Sequence, residues 1–154
     1  MIIRQLRERD LEAVTAIEHS MPDAWTAHYI DSEMMHSRTV GKVVTQNGTI
    51  RGWCMHDVRF ASGVIHLRRI VIDPEFRGVG LGSLLLDDLK QKARGQPVPW
   101  LVAQIAEHQY EAAPFFRKHG FAVSERNGEL LDASGAFWMK LELGVPDGVK
   151  GVLA

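Results

Sequence analysis

The stretch "VIDPEFRGVGLGSLLLDDL", Val71 to Leu89, sets the strongest local constraint on how this chain folds. An apolar run from Val64 to Ile72 has strand character and stops at Asp73-Pro74, where proline withholds an N–H and restricts its predecessor. Gly78, Gly80 and Gly82 follow, and a leucine-rich pattern begins at once. Leu81, Leu85, Leu89 and Ala93 recur at helical spacing and predict a helix over Leu81 to Arg94. Asp87 and Asp88 lie nearer its start, Lys90, Lys92 and Arg94 nearer its end, as the helix dipole favours. Gly95 is placed to stop it. A strand that feeds a bare turn and then a helix aims backbone N–H groups at one place. The positive end of the helix dipole lies behind them, so phosphate is the natural guest. Arg77 adds a charge-assisted donor. The same glycines also suit a tight turn that needs positive φ and nothing more. The residues of the turn leave both readings open.

The rest of the chain alternates in kind around this junction. Ile2 to Leu6 reads as a strand. Asp10 is placed to cap a helix with apolar positions Leu11, Val14, Ile17 and Met21, ended by Pro22. "WTAHYIDSEMMHS" reads as a second helix with Thr26 as its cap. From Thr39 the pattern turns to strands: "TVGKVVTQ", the hairpin signal Asn47-Gly48, then "TIRGWCMHDVRF", and, after the turn "ASG", "VIHLRRIVI". Beyond the helix from Leu81 come the strand "PWLVAQIA", a helical stretch near "YEAAPFFRKH" closed by Gly120, and strands "FAVSER" and "FWMKLEL" around "NGELLDASG". Pro114 falls inside that helical stretch and predicts a late start or a kink. The predicted order is β-αα-βββ-α-β-α-ββ, a mixed α/β sheet in one domain over residues 1–143 with a tail at 144–154.

Totals exclude several classes. The formal charge is −1 with no block of like charge, so neither nucleic acid nor a membrane surface is expected as a partner. No apolar run approaches the roughly 20 residues that span a bilayer, and the N-terminus lacks a signal-peptide core. Cys54 is the one cysteine, so no internal disulfide forms and a cytoplasmic setting is expected. His19, His28, His36, His56, His108 and His119 form no metal-ligand spacing, and Cys54-x-His56 is too sparse for zinc, so no metal is expected. Cys54 reads as a small buried apolar residue.

The turn itself fits neither of two familiar phosphate motifs. A P-loop needs Gly-Lys-Ser/Thr, and Gly82-Ser83 lacks the lysine. A dinucleotide fold places its glycines after the first strand, and this turn follows the fourth. Arg77-Gly78-Val79-Gly80-Leu81-Gly82 instead resembles the Arg/Gln-x-x-Gly-x-Gly/Ala motif of the GNAT superfamily of N-acetyltransferases. "FFRKHGF", Phe115 to Phe121, resembles that family's "LY-x-x-x-GF" segment, and the predicted element order is similar from Ile2 to Leu143.

The resemblance implies acetyl-CoA as co-substrate, with its pyrophosphate on the amides of Gly78, Val79, Gly80, Leu81, Gly82 and Ser83 beside Arg77. It also implies that the pantetheine arm pairs with the backbone of Ile70, Val71 and Ile72 as an added strand. Gln109 stands where many members carry an asparagine near the cofactor. His66 resembles the position of a catalytic Glu or His, and imidazole suits a general base at neutral pH; the bland alternative is a hydrogen-bonded strand histidine. Phe116 occupies the place of the family's tyrosine acid and has no proton to give; Tyr110 is near in sequence, but six residues earlier it need not share that position in space. Gln104 stands where the family's ribosomal-protein alanine N-acetyltransferases carry a glutamate. Trp25, Tyr29, Met34 and Met35 are at core spacing, in a region that borders the acceptor site of the family.

The expected activity is acetyl transfer to a primary amine, a small molecule or a protein N-terminus, with an α-amino group or small weakly basic amine favoured. Phe116 and Gln104 keep a second class in play, a CoA-binding sensor with degraded catalysis. Dimers are common in the family, so a homodimer is compatible with the resemblance, and no segment specifies its contact.

Overall fold

The computed structural model describes residues 1–105, 111–124 and 137–144. Its elements run β1 (Ile2–Gln5), α1 (Leu11–Glu18), α2 (Ala27–Met34), β2 (Thr39–Gln46), β3 (Thr49–Arg59), β4 (Val64–Ile72), α3 (Leu81–Arg94), β5 (Trp100–Ile105), α4 (Ala113–Lys118), β6 (Ala122–Val123) and β7 (Phe137–Glu142). That is the order the sequence predicts, with β4 and α3 at the predicted limits. The strands are ordered β1-β2-β3-β4-β5-β7-β6. Two compact units can be distinguished among the described residues, one of 1–58 with 68–88, the other of 59–67 with the described residues from 89 onward.

In the first unit, β1 pairs antiparallel with β2, and β2 with β3 through a turn in which Asn47 (φ 51°) and Gly48 (φ 79°) are both left-handed. This is the Asn-Gly geometry that matches strand twist. Trp53 and Met55 of β3, Val43 of β2 and Val71 of β4 close a core with Val14 and Ile17 of α1 and Ile30 of α2. Gly52 lets β3 pass close to β4: a Cβ there would press on the Ile72 side chain and lie 3.1 Å from the Val71 carbonyl oxygen.

Two local expectations are corrected in this unit. Asp10 does not cap α1. Its carboxylate takes Arg4 at 2.7 and 2.9 Å and the Arg7 N–H at 2.8 Å, and so closes the single 3-10 turn Glu8–Asp10. The helix itself ends at Glu18, before Pro22, while Met21 still packs on the core from outside it. Thr26 does cap α2, with its hydroxyl accepting from the Tyr29 N–H at 3.1 Å.

In the second unit, Val64–Leu67 of β4 pair in parallel with Trp100–Ala103 of β5, and β5 pairs antiparallel with β7. The helix α4 begins at Ala113 with Pro114 in its first turn, where a missing N–H costs nothing. It closes on Gly120 at φ 93°. Gly95 follows α3 as expected but is not among the left-handed glycines; the turn closes through Gly95 N–H to Lys92 O at 3.1 Å. The segment "NGELLDASG" and the tail from residue 145 lie outside the described residues.

Candidate functional site

The glycine turn begins where β4 ends. The Asp73 N–H donates to Arg51 O at 2.8 Å, the Asp73 carboxylate accepts from Glu75 N–H at 3.1 Å, and Pro74–Phe76 form one 3-10 turn. Arg77 to Gly80 then lie exposed, with Val79 at 63%. Gly78 and Gly80 have φ of 79° and 91°, a region that L side chains enter only under strain. Apart from the adjoining residues in the chain, no heavy atom among the described residues comes within 4 Å of a Cβ built on either. The first helical bond of α3 runs from Leu84 N–H to Gly80 O at 3.0 Å, so the amides of Leu81 and Gly82 precede it at the positive end of the dipole. Leu81 turns its side chain inward, 1% exposed, which anchors the turn to the core. The result is an exposed strip of backbone polarised for an anion.

Arg77 lies at this turn but is partly committed. Its Nε donates to the Ile72 carbonyl at 3.0 Å and one Nη to the Ser20 hydroxyl at 3.5 Å. Ile70 and Ile72 are half-buried and Val71 is buried in the core. These three residues continue β4 past Leu67, the last residue paired with β5.

His66 belongs to the other unit, within the paired part of β4 opposite Val102. It is half-buried, and its ring lies 5.0 Å from that of Trp138 on β7, tilted by 53°. Gln104 is exposed and pairs in register with Trp138. Phe116 is 3% exposed, edge-on to Phe115 at 5.4 Å and to Phe121 at 5.3 Å, a core residue of α4. Gln109 and Tyr110 lie outside the described residues. Of the four residues on or beside α2, Trp25 and Met34 pack against the core, while Tyr29 (37%) and Met35 (80%) are exposed.

Sequence reasoning missed the most strongly bonded group near this strand. Arg69 is buried and reaches Glu18 through Nε at 2.8 Å and an Nη at 2.5 Å, with Asp23 at 3.2 Å. Glu18, 0% exposed, also accepts from Trp53 Nε1 and from the Trp25 N–H, each at 3.0 Å. Burial opposes the charge of Arg69, but the hydrogen bonds and charges of Glu18 and Asp23 outweigh it and raise its pKa. Arg68 donates to Tyr29 Oη at 2.8 Å and Glu33 at 3.1 Å, and lies 3.5 Å from Asp57. The Arg68 hydrogen bond in turn holds Glu33 below the usual carboxylate range. The available signal was a charge on each apolar stripe: Arg69 between Leu67 and Val71, and Glu18 beside Val14 and Ile17.

A second polar group involves Lys42 of β2, Asp88 of α3 and His56 of β3. Lys42 Nζ meets Asp88 at 2.8 Å. Burial, reinforced by the Lys42 charge, pushes His56 down to about 4. Burial likewise pushes Cys54 up to about 12, so its thiol stays protonated and is no nucleophile. Among the described residues, no three His, Cys, Asp or Glu side chains are grouped to hold a metal. No described helix is long and apolar enough to cross a membrane.

Comparison with known proteins adds to this geometry. The Acetyltransferase (GNAT) domain matches residues 30–123. The Bacillus subtilis (strain 168) protein YwnH, provisionally named a phosphinothricin acetyltransferase, is 29% identical over 154 residues, 86% of this chain and 94% of that protein. The ribosomal-protein-S18-alanine N-acetyltransferase of Escherichia coli superposes with a TM-score of 0.78 at 24% identity over 94% of both chains. The PaiA N-acetyltransferase of Thermoplasma acidophilum, solved with coenzyme A, superposes with a TM-score of 0.72 at 20% identity over 92% of this chain and 98% of its own. The two superpositions establish a shared fold, and the domain match extends over more than half of the sequence: this chain belongs to the GNAT family and is an N-acetyltransferase.

Proposed function

We infer that this chain moves the acetyl group of acetyl-CoA to a primary amine, preferring an α-amino group or a small weakly basic amine. The observation that carries this reading is the exposed turn at Gly78 and Gly80. Both have positive φ, the space where a side chain would stand is open, and the first amides of α3 follow directly in the chain. A pyrophosphate has the charge and the acceptor oxygens for such a site. The backbone of Ile70 to Ile72 supports the reading, because β4 continues there beyond its pairing with β5 and an extended pantetheine arm adds to such a backbone as a strand. The Ile72 carbonyl already accepts from Arg77, which concentrates that pairing on Ile70 and Val71. The coenzyme A held by PaiA on the same fold is further support. A contact from Gln109 is proposed from the family resemblance alone.

In the chemistry, His66 takes the proton of the attacking amine, and a backbone N–H of β4 donates to the developing oxyanion. Phe116 has no proton for the leaving sulfur. A thiolate with a conjugate-acid pKa of about 8.5 leaves readily enough for water to protonate it. Neutralising a lysine side chain at pH 7 costs about 4.6 kcal/mol, against about 1 kcal/mol for an α-amine. A site with a single weak base therefore favours the less basic amine.

Calorimetric titration with acetyl-CoA and with CoA, followed by thiol release on matched α- and ε-amine acceptors, tests the proposal. Micromolar binding and faster release with the α-amine are expected, and His66→Ala slows release by about 10²–10⁴-fold. No binding overturns the donor assignment, and faster reaction of the ε-amine overturns the acceptor preference. Binding without release would favour a CoA sensor, the direction in which the buried Phe116 points.

A further inference from the structure

Two arginines follow one another on β4 at the point where its pairing with β5 stops. That pairing ends at Leu67, and the next residues are Arg68 and Arg69. Neighbouring strand residues ordinarily point to opposite faces. Here the two guanidiniums reach different elements of one unit and share the ring of Trp25. Arg68 bonds Tyr29 and Glu33 of α2 and approaches Asp57 and the Met55 sulfur of β3. Arg69 bonds Glu18 of α1 and Asp23 just beyond it. Trp25 lies beneath both, its ring 5.6 Å from the Arg68 guanidinium carbon and 4.9 Å from that of Arg69.

A strand that needed only burial would carry apolar residues there, since a buried ion pair is often no more stable than a packed apolar replacement. What a guanidinium adds is direction. Its planar fork fixes the angle as well as the distance of each partner, and two consecutive forks restrict translation and twist of the backbone that bears them. The backbone immediately beyond is Ile70 to Ile72. We propose that Arg68 and Arg69 are positioning residues that clamp β4 to α1, α2 and β3 so that the peptide groups of Ile70 and Val71 stand in register for the pantetheine arm. The clamp rests on the acetyl-CoA reading above and adds to it the device that holds the donor strand.

The test compares the parent with Arg68→Lys, Arg68→Met and the double replacement Glu18→Leu with Arg69→Met, each first shown to be folded by circular dichroism and thermal melting. The dissociation constant for CoA and the KM for acetyl-CoA are expected to rise about tenfold in Arg68→Met and in the double variant, the loss that one or two misaligned backbone hydrogen bonds produce. The rate at saturating acetyl-CoA changes less than KM. Arg68→Lys keeps the charge without the fork and falls between. Hydrogen exchange at the Ile70 and Val71 amides quickens in the same order. Folded variants that bind CoA within about twofold of the parent, with unchanged exchange, overturn the clamp. If the double variant does not fold, the Arg68 variants decide, because that side chain keeps 15% exposure. A parent that binds no CoA removes the donor reading and the clamp with it. A parent that binds CoA beside variants that bind it equally well removes the clamp alone.

Discussion

The imidazole of His56 is 7% exposed on β3 and feels the charges of Lys42, Asp57 and Asp88. Its proton affinity is lowered to about 4, first by burial and then by Lys42, while the unfolded chain keeps the ordinary value near 6.5. Between those values the unfolded state binds a proton that the folded state refuses. Its contribution is therefore complete above pH 6.5 and falls as the pH drops toward 4, by about 3 kcal/mol in all. In His56→Leu, urea midpoints at pH 4.5 and pH 7 should lie closer together than in the parent; an equal separation would assign the acid sensitivity elsewhere. Glu18 presents the opposite case, a buried charge with every bond made. Glu18→Ala leaves Arg69 buried beside the half-exposed Asp23, and Trp53 Nε1 loses its partner. The expected cost is about 3–5 kcal/mol. Differential scanning calorimetry should show the melting point falling by on the order of 10 °C.

Among the elements, α3 and the turn that feeds it were read most completely from local signals. The proline, the glycines and the leucine period all act within a few residues of where they stand. Glycine is required at φ 91° in Gly80 and at φ 79° in Gly48, and neither site crowds a Cβ. A valine at either position therefore meets similar backbone strain, about 1–2 kcal/mol. Only Gly80→Val should also weaken CoA binding, by about tenfold or more, because it adds a branched side chain to the turn proposed to hold the pyrophosphate. Equal CoA affinity in the two variants would separate the turn from the donor. The start of α1 was less legible, since Asp10 had two uses available: capping the helix that follows it or pairing with Arg4. The capping rule sees only the first. The bidentate Arg4 contact prevailed, and that contact exists because β1 lies alongside.

At the scale of the whole molecule, a ligand that binds only the folded state must raise its melting point. CoA at 100 times its dissociation constant contributes about 2.7 kcal/mol, or roughly 5–10 °C for a chain of this size. A thermal melt with and without CoA checks this, and a melt unmoved by saturating CoA would remove the donor site. The sequence by itself determined the order of eleven elements, the Asn-Gly hairpin, the late start of α4 at its proline and the exposed glycine turn. Each depends on periodicity or turn chemistry read within one segment. It also carried the family likeness, because both motifs are short and contiguous. The tertiary structure alone decided that Phe116 is a core residue, that Met34 is packed while Met35 is exposed, and that Arg69 meets Glu18 from 51 residues away. Those outcomes depend on which surfaces are brought together when helices pack on strands. An ion pair between distant residues leaves no periodic trace in the chain, only two charges standing where an apolar stripe was due.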